Sequence, residues 1–223
     1  MRGLLVVNPN ATTTTARARE VLINALAHQF HLETITTDHR GHAAELGARA
    51  RVDRVDAVIA LGGDGTANEI VNGMLGDEGP GPDVPAFGIV PGGSANVFSR
   101  SLGFPPDPIE ATGEMIAALR QRRTRRISLG RANGRWFLCN AGLGLDAEII
   151  QAMEAARAKG KAATPTRYLA TTLRTFFRGT DRRASSLVVI APGHEPVRRV
   201  FVAIVQNTSP WTYFGSFPIN PCP

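Results

Sequence analysis

The 223 residues, 43% hydrophobic and 20% charged, are enough to enclose a core and exclude a disordered chain. Two cysteines, Cys139 and Cys222, exclude a disulfide framework and suit a reducing cytoplasm, and no apolar run reaches the ~18 residues of a membrane span. The net charge of +6 is uneven: Met1 to Thr112 carries 8 Arg against 13 acidic residues, a net of −5, and Gly113 to Pro223 carries 17 basic against 6 acidic residues, a net of +11.

Gly3 to Pro9, an apolar run closed by Asn-Pro, predicts a buried strand. Thr15 or a neighbouring Thr caps a helix whose apolar residues Val21, Leu22, Ala25 and Leu26 recur at helical spacing. Leu32 to Thr37 alternates as a strand does. His42 to Val52 reads as a helix weakened by Gly47, and Asp56 to Gly63 as a third buried strand. Thr66 to Leu75 is a helix in which Thr66 and Glu69 have capping-box spacing. Gly76 to Pro85 is a loop, Ala86 to Gly93 a fourth strand, and the stretch from Ser94 a short helix. Asp107 caps a longer helix, with Pro108 first and Glu110 as the capping-box acid. The arginines of "RQRRTRR", Arg120 to Arg126, either complement that helix's dipole or meet an anionic surface.

Beyond Arg126 the texture changes. Asn133-Gly134 predicts a hairpin, two helical patterns follow, and two strand runs lie between Ser185 and Thr208. The tail from Ser209 is rich in Pro and aromatics and shows no closing element; its "WTYFG" is hard to bury and suits an acyl chain or interface. The expected organisation is an α/β domain with a mostly parallel sheet over residues 1–124, then a β-rich, sandwich-like and incomplete domain over 125–223. The histidines His28, His31, His39, His42 and His194 show no metal spacing and read as surface or loop residues.

In such α/β sheets, ligands bind beyond the carboxyl ends of the strands. Three strand ends carry small, polar loops: Asn8 to Thr12, Gly62 to Thr66, and Pro91 to Asn96. Glycine lets the backbone approach a ligand closely and take positive φ, and a helix N-terminus favours phosphate. Asp64 would repel phosphate there unless it holds Mg2+ or orients an attacking hydroxyl. The loops match neither the Gly-Lys-Ser/Thr phosphate loop nor the dinucleotide fingerprint.

"NPNAT", "LGGDGTANEIVNG", "GIVPGGSANVFSRSLG" and "LCNAGLGLDAEI", in this order and spacing, resemble motifs of the diacylglycerol kinase catalytic-domain family, soluble lipid kinases that include the sphingosine kinases. The resemblance spans nearly the whole chain. It implies a nucleotide domain of the NAD kinase/lipid kinase type, a β-sandwich-like domain, a site in the cleft between them, and ATP with Mg2+ as cofactors. It places Asn8, Pro9, Asn10, Ala11 and Thr12 along the phosphates and Thr37 against the nucleotide. Gly62, Gly63, Asp64, Gly65, Thr66, Ala67 and Asn68 wrap ATP, with Asp64 the catalytic candidate near phosphates and metal. Gly92, Gly93, Ser94 and Asn96 form the second glycine loop, Ser94 standing where the family usually has threonine. Asp146 and Glu148 suit a helix start, and the motif match adds weight to a functional role. In the family, metal-binding residues and an acidic catalytic residue follow the strand matching Val200 to Asn207, so a chain ending at Pro223 is expected to be truncated or a fragment.

The implied substrate is a diacylglycerol-like lipid, met at an anionic membrane surface by a cytoplasmic, peripherally bound protein. No nucleic-acid partner is expected, and the oligomeric state is open, with a homodimer one option. A kinase acting on NAD and a non-catalytic nucleotide-binding or membrane-associating protein are the competing readings.

Overall fold

Four short apolar runs pair side by side, all parallel, in the order β2-β1-β3-β4. They are β1 (Arg2–Val7), β2 (His31–Thr36), β3 (Ala57–Gly62) and β4 (Ala86–Pro91), connected through α1 (Ala16–Gln29), α2 (His42–Val52) and α3 (Asp64–Leu75). A computed structural model describes residues 1–11, 15–158, 165–179 and 187–220. The central strands are apolar at nearly every position because helices cover both faces, whereas the edge strand β2 is mostly exposed, with only Leu32 and Ile35 half-buried, one on each face. Alternate β3 residues serve opposite cores. Val58 and Ala60 join Ala43, Leu46, Ile70 and Met74 of α2 and α3; Ile59 and Leu61 join Leu22, Leu26 and Met115.

Two expected caps are present. Thr15 Oγ1 accepts the Ala18 N–H (3.1 Å), and Asp107 Oδ1 accepts those of Ile109 (2.9 Å) and Glu110 (3.0 Å) at the head of α5 (Pro108–Arg120). The third is corrected. Helix α3 starts two residues early, at Asp64, with Gly63 as its N-cap and no side-chain cap, so the Thr66–Glu69 box does not form. Glu69 instead accepts the Gly41 N–H (3.1 Å) where α2 begins.

Gly47 does not merely weaken α2. A methyl there would overlap the Ile70 carbonyl, and one on Gly73 would overlap that of Ala44. Both glycines are the condition for α2 and α3 to lie backbone to backbone.

Contacts divide the chain into one unit of Met1–Cys139 with Asn207–Pro223 and a second of Asn140–Gln206, whereas the sequence suggested a break at 124/125. The first also holds α4 (Val97–Ser101) and the hairpin of β5 (Gly130–Ala132) and β6 (Arg135–Phe137). Asn133 (φ 49°) and Gly134 (φ 78°) turn that hairpin as expected. The tail, expected to lack a closing element, forms a hairpin of β11 (Thr212–Phe214) and β12 (Phe217–Ile219), with the Arg100 guanidinium 3.2 Å from the Tyr213 ring centre.

The second unit pairs β7 (Asn140–Gly144) with β10 (Val202–Gln206) and β8 (Leu187–Val189) with β9 (Val197–Val200), all antiparallel. It carries α6 (Leu145–Ala158) and α7 (Pro165–Arg174), which runs into a π-helical turn, Thr175–Gly179. Asp146 opens α6 with its carboxylate against Gly142, and burial raises its pKa. Among the described residues no helix is long and apolar enough to cross a membrane.

Two of the histidines expected at the surface come together. The turn between β2 and α2 folds His39 back over His42, their rings stacked 4.8 Å apart, and both meet Asp38. The signal was the string Asp38-His39-x-x-His42. The hydrogen bond to Asp38 is the main cause raising the His39 pKa, and that to His39 the main cause lowering Asp38's.

Gly73→Ala should destabilise the protein. The overlap with Ala44 forces the helices apart at ~1–3 kcal/mol, more than the ~1 kcal/mol gained in helix propensity. Urea unfolding reads the result, and a midpoint at or above the parent's would contradict this packing.

Candidate active site

All four parallel strands end on one edge, and the strand order changes direction between β1 and β3. A doubly wound sheet opens its ligand crevice at such a point. The three loops singled out in the sequence leave β1, β3 and β4 at this edge, and they touch one another.

The β1 loop is tied to β3. Asn8 donates its N–H to Leu61 O (3.0 Å) and its Nδ2 to Thr66 Oγ1 (2.8 Å), while its Oδ1 accepts the Asn10 N–H (2.9 Å). Ala11 N–H returns to Asn8 O (3.2 Å), closing a turn through Pro9 and Asn10 that lays Ala11 on Gly92. Pro9 and Asn10 stay exposed, and Thr12 lies outside the described residues.

The glycine doublets meet each other. Gly92 donates its N–H to Gly62 O (2.8 Å). A Cβ built on Gly93 would stand 2.7 Å from Gly63 Cα, and one on Gly92 3.1 Å from Gly62 Cα. None of these four glycines has positive φ, so the expectation of a left-handed backbone here is corrected. What they supply is the absence of a side chain where two backbones cross.

Asp64 joins the same two loops. From the first turn of α3 its Oδ2 accepts the Val97 N–H (3.0 Å) and its Oδ1 the Phe98 N–H (2.9 Å), both at the head of α4. Burial pushes its pKa up, and these N–H groups together with its own pull it back. The carboxylate is thus balanced by the positive end of α4 rather than left facing the head of α3. That answers how an anionic side chain coexists with a phosphate-favouring helix start. Neighbouring Cys139 has a raised pKa, from burial first and from Asp64 second.

Several other site candidates support the scaffold. Asn96, buried with φ 49°, closes its loop by accepting the Gly93 N–H (2.8 Å) and donating to Gly93 O (2.6 Å). Thr37 extends the β2 ladder, its N–H on Val7 O at 2.9 Å. Asn68 Oδ1 accepts the Leu138 N–H (3.3 Å), and Ala67 is fully buried in the core. Gly65 and Ser94 are exposed, and a Cβ on Gly65 would meet nothing within 4 Å. Asn72 was not foreseen: it holds the backbone of Trp136 at both N–H and carbonyl (2.9 Å each). Its signal was its position one turn after Asn68 on α3. A depression of about 520 Å³ is lined by Arg40, Glu69, Asn72, Asp77, Asn133 and Arg135 among others, and by none of the three loops.

The model of the family described as "Diacylglycerol kinase catalytic domain" matches residues 2–132. The chain is 32% identical to a diacylglycerol kinase of Bacillus subtilis over 146 residues, covering 64% of this chain and 46% of that one. It is 31% identical to one of Staphylococcus saprophyticus over 139 residues, covering 61% and 43%. The chain therefore spans under half the length of these curated relatives. A crystal structure of a diacylglycerol kinase from Bacillus anthracis aligns with TM-score 0.57 and 30% identity over 67% of this chain and 52% of that one. A second structure from the same strain aligns with TM-score 0.68 and 26% identity over 97% and 68%.

Asp64→Asn should loosen the two loops. An amide can offer only one oxygen, so one of the two α4 N–H groups faces an NH2 and loses its partner, at ~1–3 kcal/mol. Chemical unfolding together with amide exchange at Val97 and Phe98 measures this. Unchanged exchange at both amides would contradict the clamp.

Proposed function

The chain belongs to the diacylglycerol kinase catalytic-domain family, and from that premise we propose that it serves transfer of the γ-phosphate of ATP, with Mg2+, to the hydroxyl of a diacylglycerol-like lipid. The observation that carries the reading is the convergence of the three loops at one sheet edge, with glycine backbone against glycine backbone.

The residues fit a triphosphate. Helix α3 has a glycine N-cap and no side-chain cap, so its first-turn N–H groups are not claimed by a capping side chain. Space is open in front of Gly65, and exposed Ser94 brings a hydroxyl to the neighbouring loop. Asn8, through Thr66, holds the first loop against this helix start. Asp64 fits Mg2+ as a single carboxylate ligand, because a carboxylate has about four lone-pair sites and the N–H groups of Val97, Phe98 and Asp64 itself leave one of them open. Mg2+ suits that economy, being commonly bound by one or two carboxylates together with substrate phosphates. When bound, the ion would neutralise charge on the transferring phosphoryl group. In this reading Asp64 acts chiefly by holding the loops in register, and its charge is the chain's contribution to the metal.

The lipid is met at an anionic surface. Arg122, Arg123, Arg125 and Arg126 are exposed just after α5, and they belong to the half of the chain that carries the net +11. Arg120 sits in the last turn of α5, where a cation suits the dipole, so part of the cluster also serves the helix. Such attraction is felt over a Debye length of ~8 Å at physiological salt. A cytoplasmic protein attached peripherally to the membrane follows from this reading.

Three experiments test the proposal. Titration with a non-hydrolysable ATP analogue should show binding that Gly93→Val abolishes, since the added side chain collides with Gly63; equal affinity would remove the loops from the nucleotide site. Incubation with labelled ATP and Mg2+ should phosphorylate diacylglycerol in mixed micelles and leave NAD unmodified; phosphorylation of NAD alone would reverse the choice of substrate. For the membrane, replacing Arg122, Arg123, Arg125 and Arg126 by Gln should sharply reduce sedimentation with anionic vesicles at low salt while sparing nucleotide affinity. Equal binding to neutral and anionic vesicles would refute the electrostatic account.

A further inference from the structure

We propose that Asp38, His39 and His42 form a binding site for a divalent transition-metal ion of the Zn2+ class in the turn between β2 and α2. One ligand atom from each residue lies within 4.8 Å of the others. Asp38 Oδ1 stands 2.5 Å from His39 Nδ1 and 2.7 Å from His42 Nδ1. The two rings are stacked, 9° from parallel, and both Nδ1 atoms meet the same carboxylate oxygen; a shared ion must lie in both ring planes, so the exposed His39 ring turns to bind it. The far nitrogen of His39 lies 3.3 Å from Glu45 Oε1. A carboxylate on the second nitrogen of an imidazole is the usual way a metal-binding histidine is oriented.

The donors are as close as hydrogen-bonded atoms, and His42 Nδ1 also lies 3.3 Å from the Asp38 backbone N, so an ion would displace hydrogen bonds within the cluster. Zn2+ at ~2.0–2.2 Å from each donor in a tetrahedral set would hold them ~3.3–3.5 Å apart. The change needed in each aspartate–histidine pair is under ~1 Å, and Asp38 and His39 are exposed side chains able to make it. His42, whose side chain is 19% exposed, is the fixed member, anchored as the first residue of α2. Water would complete the coordination. The site needs only the segment Asp38 to Glu45 and no other part of the fold. Arg40, the intervening cation, lines the depression with Glu69 and Asn72.

Two imidazoles and one carboxylate select Zn2+, Co2+, Ni2+ or Cu2+ over Mg2+ and Ca2+, which prefer all-oxygen sets. This ion is therefore distinct from the Mg2+ of phosphoryl transfer, and the assignment stands independently of that reading.

Titration of tag-free protein with ZnCl2 in excess Mg2+ should show one ion bound per chain, with the imidazole resonances of His39 and His42 shifting as it binds. His39→Ala and His42→Ala should each weaken Zn2+ binding by about tenfold or more, with an unaltered circular dichroism spectrum. Asp38→Asn should also weaken it. Zn2+ affinity that survives in both histidine variants would place the ion elsewhere and overturn the assignment. So would the absence of saturable binding at micromolar metal, or Zn2+-induced shifts that spare both imidazoles of the parent protein.

Discussion

The structure turns on one carboxylate. Asp64 reaches from the first turn of α3 to the first turn of α4 and accepts two N–H groups there, at 3.0 and 2.9 Å. Burial alone would drive this side chain toward its neutral form, and its pKa is indeed raised. The α4 amides offset that cost because a hydrogen bond to an ionised acceptor is stronger than a neutral one. The bond fixes where the β4 loop begins relative to the β3 loop.

Glycine does the complementary work. Gly62, Gly63, Gly92 and Gly93 bring two backbones into contact at the sheet edge, and Gly47 and Gly73 do the same between α2 and α3. In both places the requirement is room, not unusual φ. The second contact anchors the first. The middle of α3 and the head of α2 are joined through Glu69 and Gly41, and Asn68 and Asn72 tie α3 to Leu138 and Trp136. A helix that presents its N-terminus to a ligand needs such fixing, since a shift of an ångström there would spoil the geometry of phosphate contact.

Charge is distributed with the same division of labour. The acidic half of the sequence contains all four strands of the parallel sheet and the three loops, and the basic half begins with the end of α5 and its exposed arginines. In the proposed reading, a nucleotide site built from backbone N–H groups needs few cationic side chains of its own. In the proposed reading the exposed arginines after α5 meet an anionic surface, and among the described residues no helix is long and apolar enough to cross a membrane.

Sequence alone was enough for the four strands of the parallel sheet, most helices and the caps at Thr15 and Asp107, because these rest on local periodicity and on side chains reaching the nearest N–H groups. It also determined that three polar loops would share one edge, since parallel βαβ units place every strand end there. Only the tertiary structure decided what Asp64, Asn68, Thr37 and Asn96 touch, because their partners are backbone atoms that the fold brings within reach, from 3 residues away for Asn96 to 70 for Asn68. It decided that α3 begins at Asp64, since the contact of Gly63 with Gly93 is invisible to a local capping rule. It likewise decided that Gly47 is a contact point rather than a weakness, and that Asp38, His39 and His42 converge. Packing between distant backbones has no period and no fixed spacing, so it leaves no mark in sequence beyond the small or polar residues that permit it.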